Sequence, residues 1–61
     1  MIKLKYIKCM EDMYEDVLLP EYENTNQLRK DIEENKVIKV IYKDSSSTDY
    51  INPNYIMFFG E

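Results

Sequence analysis

The first eight residues alternate between polar and apolar side chains, which is the pattern of a half-buried β-strand. One side of this predicted strand carries Ile2, Leu4 and Tyr6, and the other carries Lys3, Lys5 and Ile7. We expect the first side to face the core, because the second is mostly basic.

Residues 10–19 fit two structures. Met10, Tyr14 and Val17 recur with helical spacing. The apolar run 17–19 before Pro20 also reads as the second strand of a hairpin that turns at residues 11–13. We favour the hairpin, because it extends the sheet that the first strand needs.

The most regular helical pattern covers residues 24–35. Asn24 and Gln27 have the spacing of a capping box, and Thr25 is an alternative cap. Leu28 and Ile32 form a narrow apolar stripe one turn apart, which favours packing on a sheet. Asn35 suits the left-handed position that ends a helix.

The remaining segments predict three further strands. Residues 37–42 form the first, and residues 48–52 return as its hairpin partner after the turn at 44–47. Pro53 then interrupts the chain. In the last strand, residues 55–59, Tyr55, Met57 and Phe59 lie opposite Ile56 and Phe58.

These elements predict a small α+β fold of order β(β)αβββ. One helix packs on a curled antiparallel sheet of four to five strands, and residues 1–61 form a single domain. The core of so short a chain is thin. Apolar residues on both faces of the last strand favour a homodimer, unless the sheet curls far enough to hide them.

Composition argues against catalysis. Among 61 residues there is no His and a single Cys, so the usual general acid–base and an activated nucleophile are missing. Cys9 is expected to be a small apolar core residue. The acids lack the spacing of a calcium loop. We expect no enzymatic activity, no cofactor and no metal site.

Acidic residues without any base, set among tyrosines, mark residues 11–23 as the candidate partner-binding segment. Its candidate residues are Glu11, Asp12, Tyr14, Glu15, Asp16, Glu21, Tyr22 and Glu23. Tyrosine is enriched in interfaces, and acids steer towards basic surfaces. We expect an inhibitor that binds a basic host protein, often a nucleic-acid-binding one, as a nucleic-acid mimic. The residue usage suggests an AT-rich phage or mobile element.

Lysines suggest an alternative function. Lys3 and Lys5 on the first strand, with Lys39 and Lys43 on another, form a basic stripe if those strands are neighbours. Lys39, Tyr42, Lys43 and Tyr50 are then candidates for sequestering an anionic nucleotide or metabolite at a dimer interface.

Charge and hydropathy bear on partners and location. The net charge of −4 disfavours direct nucleic-acid binding. No apolar run is long enough to cross a membrane. We expect a cytoplasmic protein, in the host cytoplasm if it is viral.

Overall fold

The computed structural model describes residues 1–61 and confirms the α+β prediction, with one sheet of five antiparallel strands and one α-helix. The elements are β1 (Ile2–Cys9), β2 (Met13–Leu19), α1 (Thr25–Glu33), β3 (Ile38–Tyr42), β4 (Thr48–Ile51) and β5 (Ile56–Gly60). The order of strands across the sheet is β4-β3-β2-β1-β5. No helix of the structure is long and apolar enough to cross a membrane.

Residues 10–19 complete the β1–β2 hairpin, which confirms that prediction over the helical alternative. Strands β1 and β2 pair from Ile2 opposite Leu19 to Lys8 opposite Met13. The tight turn between them is closed by the Cys9 amide, which donates to the Asp12 carbonyl at 2.8 Å.

The buried side of β1 changes part-way along the strand, and the predicted outward position of Ile7 is wrong. Leu4 is fully buried, as predicted, but so is Ile7, three residues later. The change occurs where Asp16 of β2 adopts a positive φ of 51° and the pairing of Lys5 with Asp16 is missing. Asp is one of the few residues that tolerate this backbone conformation. The irregularity turns both strands. The alternation of side chains that face the core is therefore different in the two halves of the hairpin.

The last strand contains a bulge. Cys9 lies opposite Ile56 and Lys8 opposite Phe58, which leaves Met57 as an extra residue. Ile56 and Phe59 therefore both pack against the core, whereas Met57 and Phe58 are exposed. Neither of the two alternating sets predicted for this strand is the buried one.

Tyr55, predicted to begin the last strand, instead ends a 3₁₀ turn, Pro53–Tyr55. The Asn52 side chain starts this turn by accepting a hydrogen bond from the Asn54 amide at 3.0 Å. Pro53 is buried.

The sheet must be strongly curled, because its two edge strands are consecutive in the chain. A flat five-stranded sheet separates its edge strands by about 19 Å. Only residues 52–55 join β4 to β5, and three of them form the 3₁₀ turn, which rises about 2 Å per residue. The end of β4 therefore lies near the start of β5, although the two strands do not pair, and the fully buried Leu28 of α1 lies in the core.

Both ends of α1 have the structure that the sequence predicts. The Asn24 side chain caps α1 by accepting from the Gln27 amide at 3.0 Å, and the Gln27 side chain accepts from the Glu23 amide at 2.7 Å. This selects Asn24 over Thr25 as the cap. Asn35, just beyond the helix, has the expected positive φ of 62°.

Candidate functional site

The structure divides the acidic segment between distant places. Glu11 and Asp12 lie in the β1–β2 turn, whereas Glu21 and Glu23 follow the other end of β2. A seven-residue strand, roughly 23 Å long, separates the two pairs. Glu15 lies on the outer face opposite Tyr6. The eight predicted partner-binding residues therefore do not form one surface.

Tyr22 is a core residue, which corrects its predicted place on the partner surface. Its side chain is 4% exposed, and its hydroxyl donates to Asp31 Oδ2 at 2.8 Å. Burial, and then the bond to Asp31, raise the pKa of Tyr22 well above its ordinary value. The ring is not available to a partner.

Tyr14 belongs to an aromatic and acidic cluster beside the β1–β2 turn. Its ring stacks on Tyr42 with centroids 6.1 Å apart, and the Tyr42 hydroxyl donates to Asp49 Oδ2 at 3.1 Å. Burial, followed by the hydrogen bond to Asp49, raises the pKa of Tyr42 to about 12. Burial is also the main cause of the raised pKa of Tyr14, and the charge of Asp12 contributes to both shifts.

A cleft of about 250 Å³ adjoins this turn and is lined by Met10, Glu11, Asp12 and Tyr55. We call these four residues the acidic cleft. The Met10 amide donates to the Tyr55 carbonyl at 2.9 Å, which fixes the 3₁₀ turn against the hairpin turn. Met10 and Tyr55 are 66% and 56% exposed. Sequence reasoning missed Tyr55, although the preceding Asn-Pro-Asn indicates a turn that presents the next side chain.

The carboxylates of the acidic cleft have no cationic partner within the protein. The only salt bridges in the structure join Lys36 to Asp31 and Glu34. Glu11 and Asp12 are exposed, and neither lies within 4.0 Å of a lysine or arginine nitrogen. The cleft thus offers two uncompensated negative charges beside two apolar side chains.

The alternative ligand site is split between the two faces of the sheet. Lys39 lies opposite Tyr50 on the outer face, whereas Tyr42 packs against the core. Lys43 lies in the following turn, where its amide donates to the Asp16 carbonyl at 3.2 Å. The condition for the basic stripe, that its two strands are neighbours, is not met, because β2 separates β1 from β3. No cleft unites these residues.

The single thiol of the protein is buried. Cys9 is 4% exposed, as predicted for a core residue, and burial raises the pKa of its thiol, with a smaller contribution from Asp12. No group of three or more Cys, Asp or Glu side chains is placed to hold a metal ion.

No protein-family model, curated protein or solved structure matches this chain.

Proposed function

We propose that this chain is a non-enzymatic protein-binding module that inhibits a host protein by docking its acidic cleft on a basic surface. We also propose that a phage or mobile element encodes the protein and that it acts in the host cytoplasm. The observation that carries it is the pair of unpaired carboxylates, Glu11 and Asp12, beside the exposed side chains of Met10 and Tyr55.

Each component of the acidic cleft suits a protein interface. Tyrosine and methionine are enriched in interfaces, where they supply large contact areas. The two carboxylates steer the encounter towards lysines and arginines, and they gain partners that the chain itself does not provide. The stacked Tyr14 and Tyr42, with Asp49, extend the same acidic and aromatic character beside the turn.

The carboxylates are also held on a rigid support. The turn that carries Glu11 and Asp12 is closed by one backbone hydrogen bond within the hairpin and a second to Tyr55. A pre-ordered turn loses little conformational entropy on binding. Carboxylates fixed in this way can stand in for phosphates, so a nucleic-acid-binding protein is the kind of partner we propose.

The test is a pull-down from host lysate at low and high salt with two charge-matched variants. E11K/D12K reverses the acidic cleft, and E21K/E23K makes the same change in net charge beyond the other end of β2. We expect wild type and E21K/E23K to retain one partner at low salt and release it at high salt, because screening weakens exposed ion pairs. E11K/D12K should retain none.

A third variant, Y55S, tests the aromatic part of the site and should weaken capture at low salt. Circular dichroism confirms that each variant is folded. The proposal fails if folded E11K/D12K captures the same partner, if both charge variants lose it equally, or if wild type captures no partner at either salt concentration.

A further inference from the structure

Strand β5 forms an edge of the sheet that is protected by neither a charge nor a proline. Its five residues, Ile56–Gly60, include no charged residue and no proline. Edge strands usually carry such residues to prevent pairing with another chain. The opposite edge, β4, is shorter and includes Asp49. The two edges thus differ in their capacity to accept a further strand.

The side chains beside this edge form an ordered aromatic patch. Phe58 is 51% exposed and meets the Tyr6 ring edge to face, with centroids 5.9 Å apart. The Tyr6 ring also covers Gly60 so closely that a Cβ there would lie 2.5 Å from the ring. A side chain at residue 60 would displace the Tyr6 ring from this position beside Phe58. Met57, in the bulge, is 60% exposed.

A groove of about 190 Å³ runs between α1 and β5. Arg29, Ile32 and Glu33 line its helical side, and residues 56–59 line the other. The Arg29 guanidinium lies 5.3 Å from the centroid of the Phe59 ring, a cation–π distance. Arg29 and Glu33 are one helical turn, about 6 Å, apart. The groove is therefore apolar along the strand and carries one charge of each sign along the helix.

We propose that a second copy of this chain occupies the groove and pairs its β5 antiparallel to the first, across a two-fold axis near Phe58. A two-fold interface brings together identical patches in opposite directions. The antiparallel copy presents Glu33 towards Arg29 and Arg29 towards Glu33, so the helical charges complement themselves. The exposed Met57 and Phe58 of both copies become buried. The interface uses none of the residues of the acidic cleft and does not rest on the proposed function.

The first test measures solution mass by sedimentation over a range of concentrations. Wild type should approach twice the chain mass of 7.4 kDa and dissociate on dilution. F58K places a lysine on the β5 edge, and lysine is the residue type that most often protects edge strands. This variant should raise the dimer dissociation constant at least tenfold. The control is M13K, because Met13 is 50% exposed and lies outside β5 and α1. It should dimerise like wild type.

The second test exchanges the helical charges and does not alter β5. R29E and E33R each oppose like charges across the axis and should weaken the dimer, whereas the double variant R29E/E33R restores opposite charges and should recover it. Wild type that remains monomeric at every concentration overturns the proposal. So do larger mixed oligomers, a dimer unaffected by F58K, or a double variant that is weaker than both single variants.

Discussion

Replacing Tyr22 with Phe should destabilise the fold without affecting the partner surface. The ring is 4% exposed, and Phe keeps its apolar burial. Only the hydroxyl is lost, and with it the 2.8 Å hydrogen bond to Asp31 Oδ2. The substitution therefore isolates one polar interaction between the loop before α1 and the helix itself.

The expected loss follows from the charge of the acceptor. A hydrogen bond to a charged group contributes about 1.5–3 kcal/mol. The Asp31 side chain is 27% exposed and Lys36 Nζ lies 4.0 Å from it, so the carboxylate retains solvent and a cation after the substitution. We therefore expect about 1.5–2 kcal/mol, which corresponds to a decrease in Tm of about 6–16 °C for a domain of this size.

The assay is thermal unfolding followed by circular dichroism, with Y50F as the matched control. Tyr50 is 62% exposed and its hydroxyl makes no hydrogen bond within the protein, so Y50F should melt with wild type. A D31A variant, which removes the acceptor, completes a double-mutant cycle, and Y22F and D31A should be strongly non-additive. Equal Tm values for Y22F and wild type would refute the assignment of Tyr22 to the core hydrogen bond.

Three further predictions concern the backbone, the core and pH. In an ordinary strand, Val stabilises a protein more than Gly does. At Asp16, however, φ is 51°, so the free energy of unfolding measured in urea should be at least about 1 kcal/mol higher for D16G than for D16V. A higher value for D16V would contradict the bend. I38D should abolish the cooperative melt, because Ile38 is fully buried and an unpaired charge there outweighs the small stability of such a domain; an unchanged melt would place Ile38 outside the core. The pKa of Tyr42 is raised from an ordinary 10.0 to about 12, so the stability that the protonated hydroxyl contributes is complete below about pH 10 and is lost as the pH rises towards 12. Y42F should therefore lose less Tm at alkaline pH than wild type. An equal loss in both proteins would argue against this role of Tyr42.

Local pattern predicts most of the elements because each depends on short-range physics. The capping residue Asn24, the left-handed Asn35 and the strand content of residues 37–42 all follow from neighbours in the chain. The burial of Ile7 does not, because it depends on a bend at Asp16, nine residues away in sequence and across the hairpin. The bulge at Met57 is likewise a property of pairing with β1.

The candidate site was only partly predictable for a similar reason. The run of acids without a base predicts Glu11 and Asp12 as candidates, and the two stay together in the structure because both lie in one turn. Tyr22 lies in the same acidic segment, but its side chain points into the core. Its hydrogen-bond partner, Asp31, lies in the next element, α1. Tyr55 reaches the acidic cleft only because β5 returns to β1 and brings the 3₁₀ turn against Met10. Charge pattern indicates which segment is acidic, but strand order decides which aromatic side chains accompany it.

The return of β5 to β1 also determines how the protein folds. Ile7 pairs with Phe59 across about fifty intervening residues, so closure of this long loop precedes any gain from the contact. Folding rates fall as contacts become less local. The β1–β2 hairpin forms locally, but Ile7 and Cys9 of β1 stay exposed to solvent until β5 docks beside them. We therefore expect slow folding for a domain of this size, with docking of β5 as the late step.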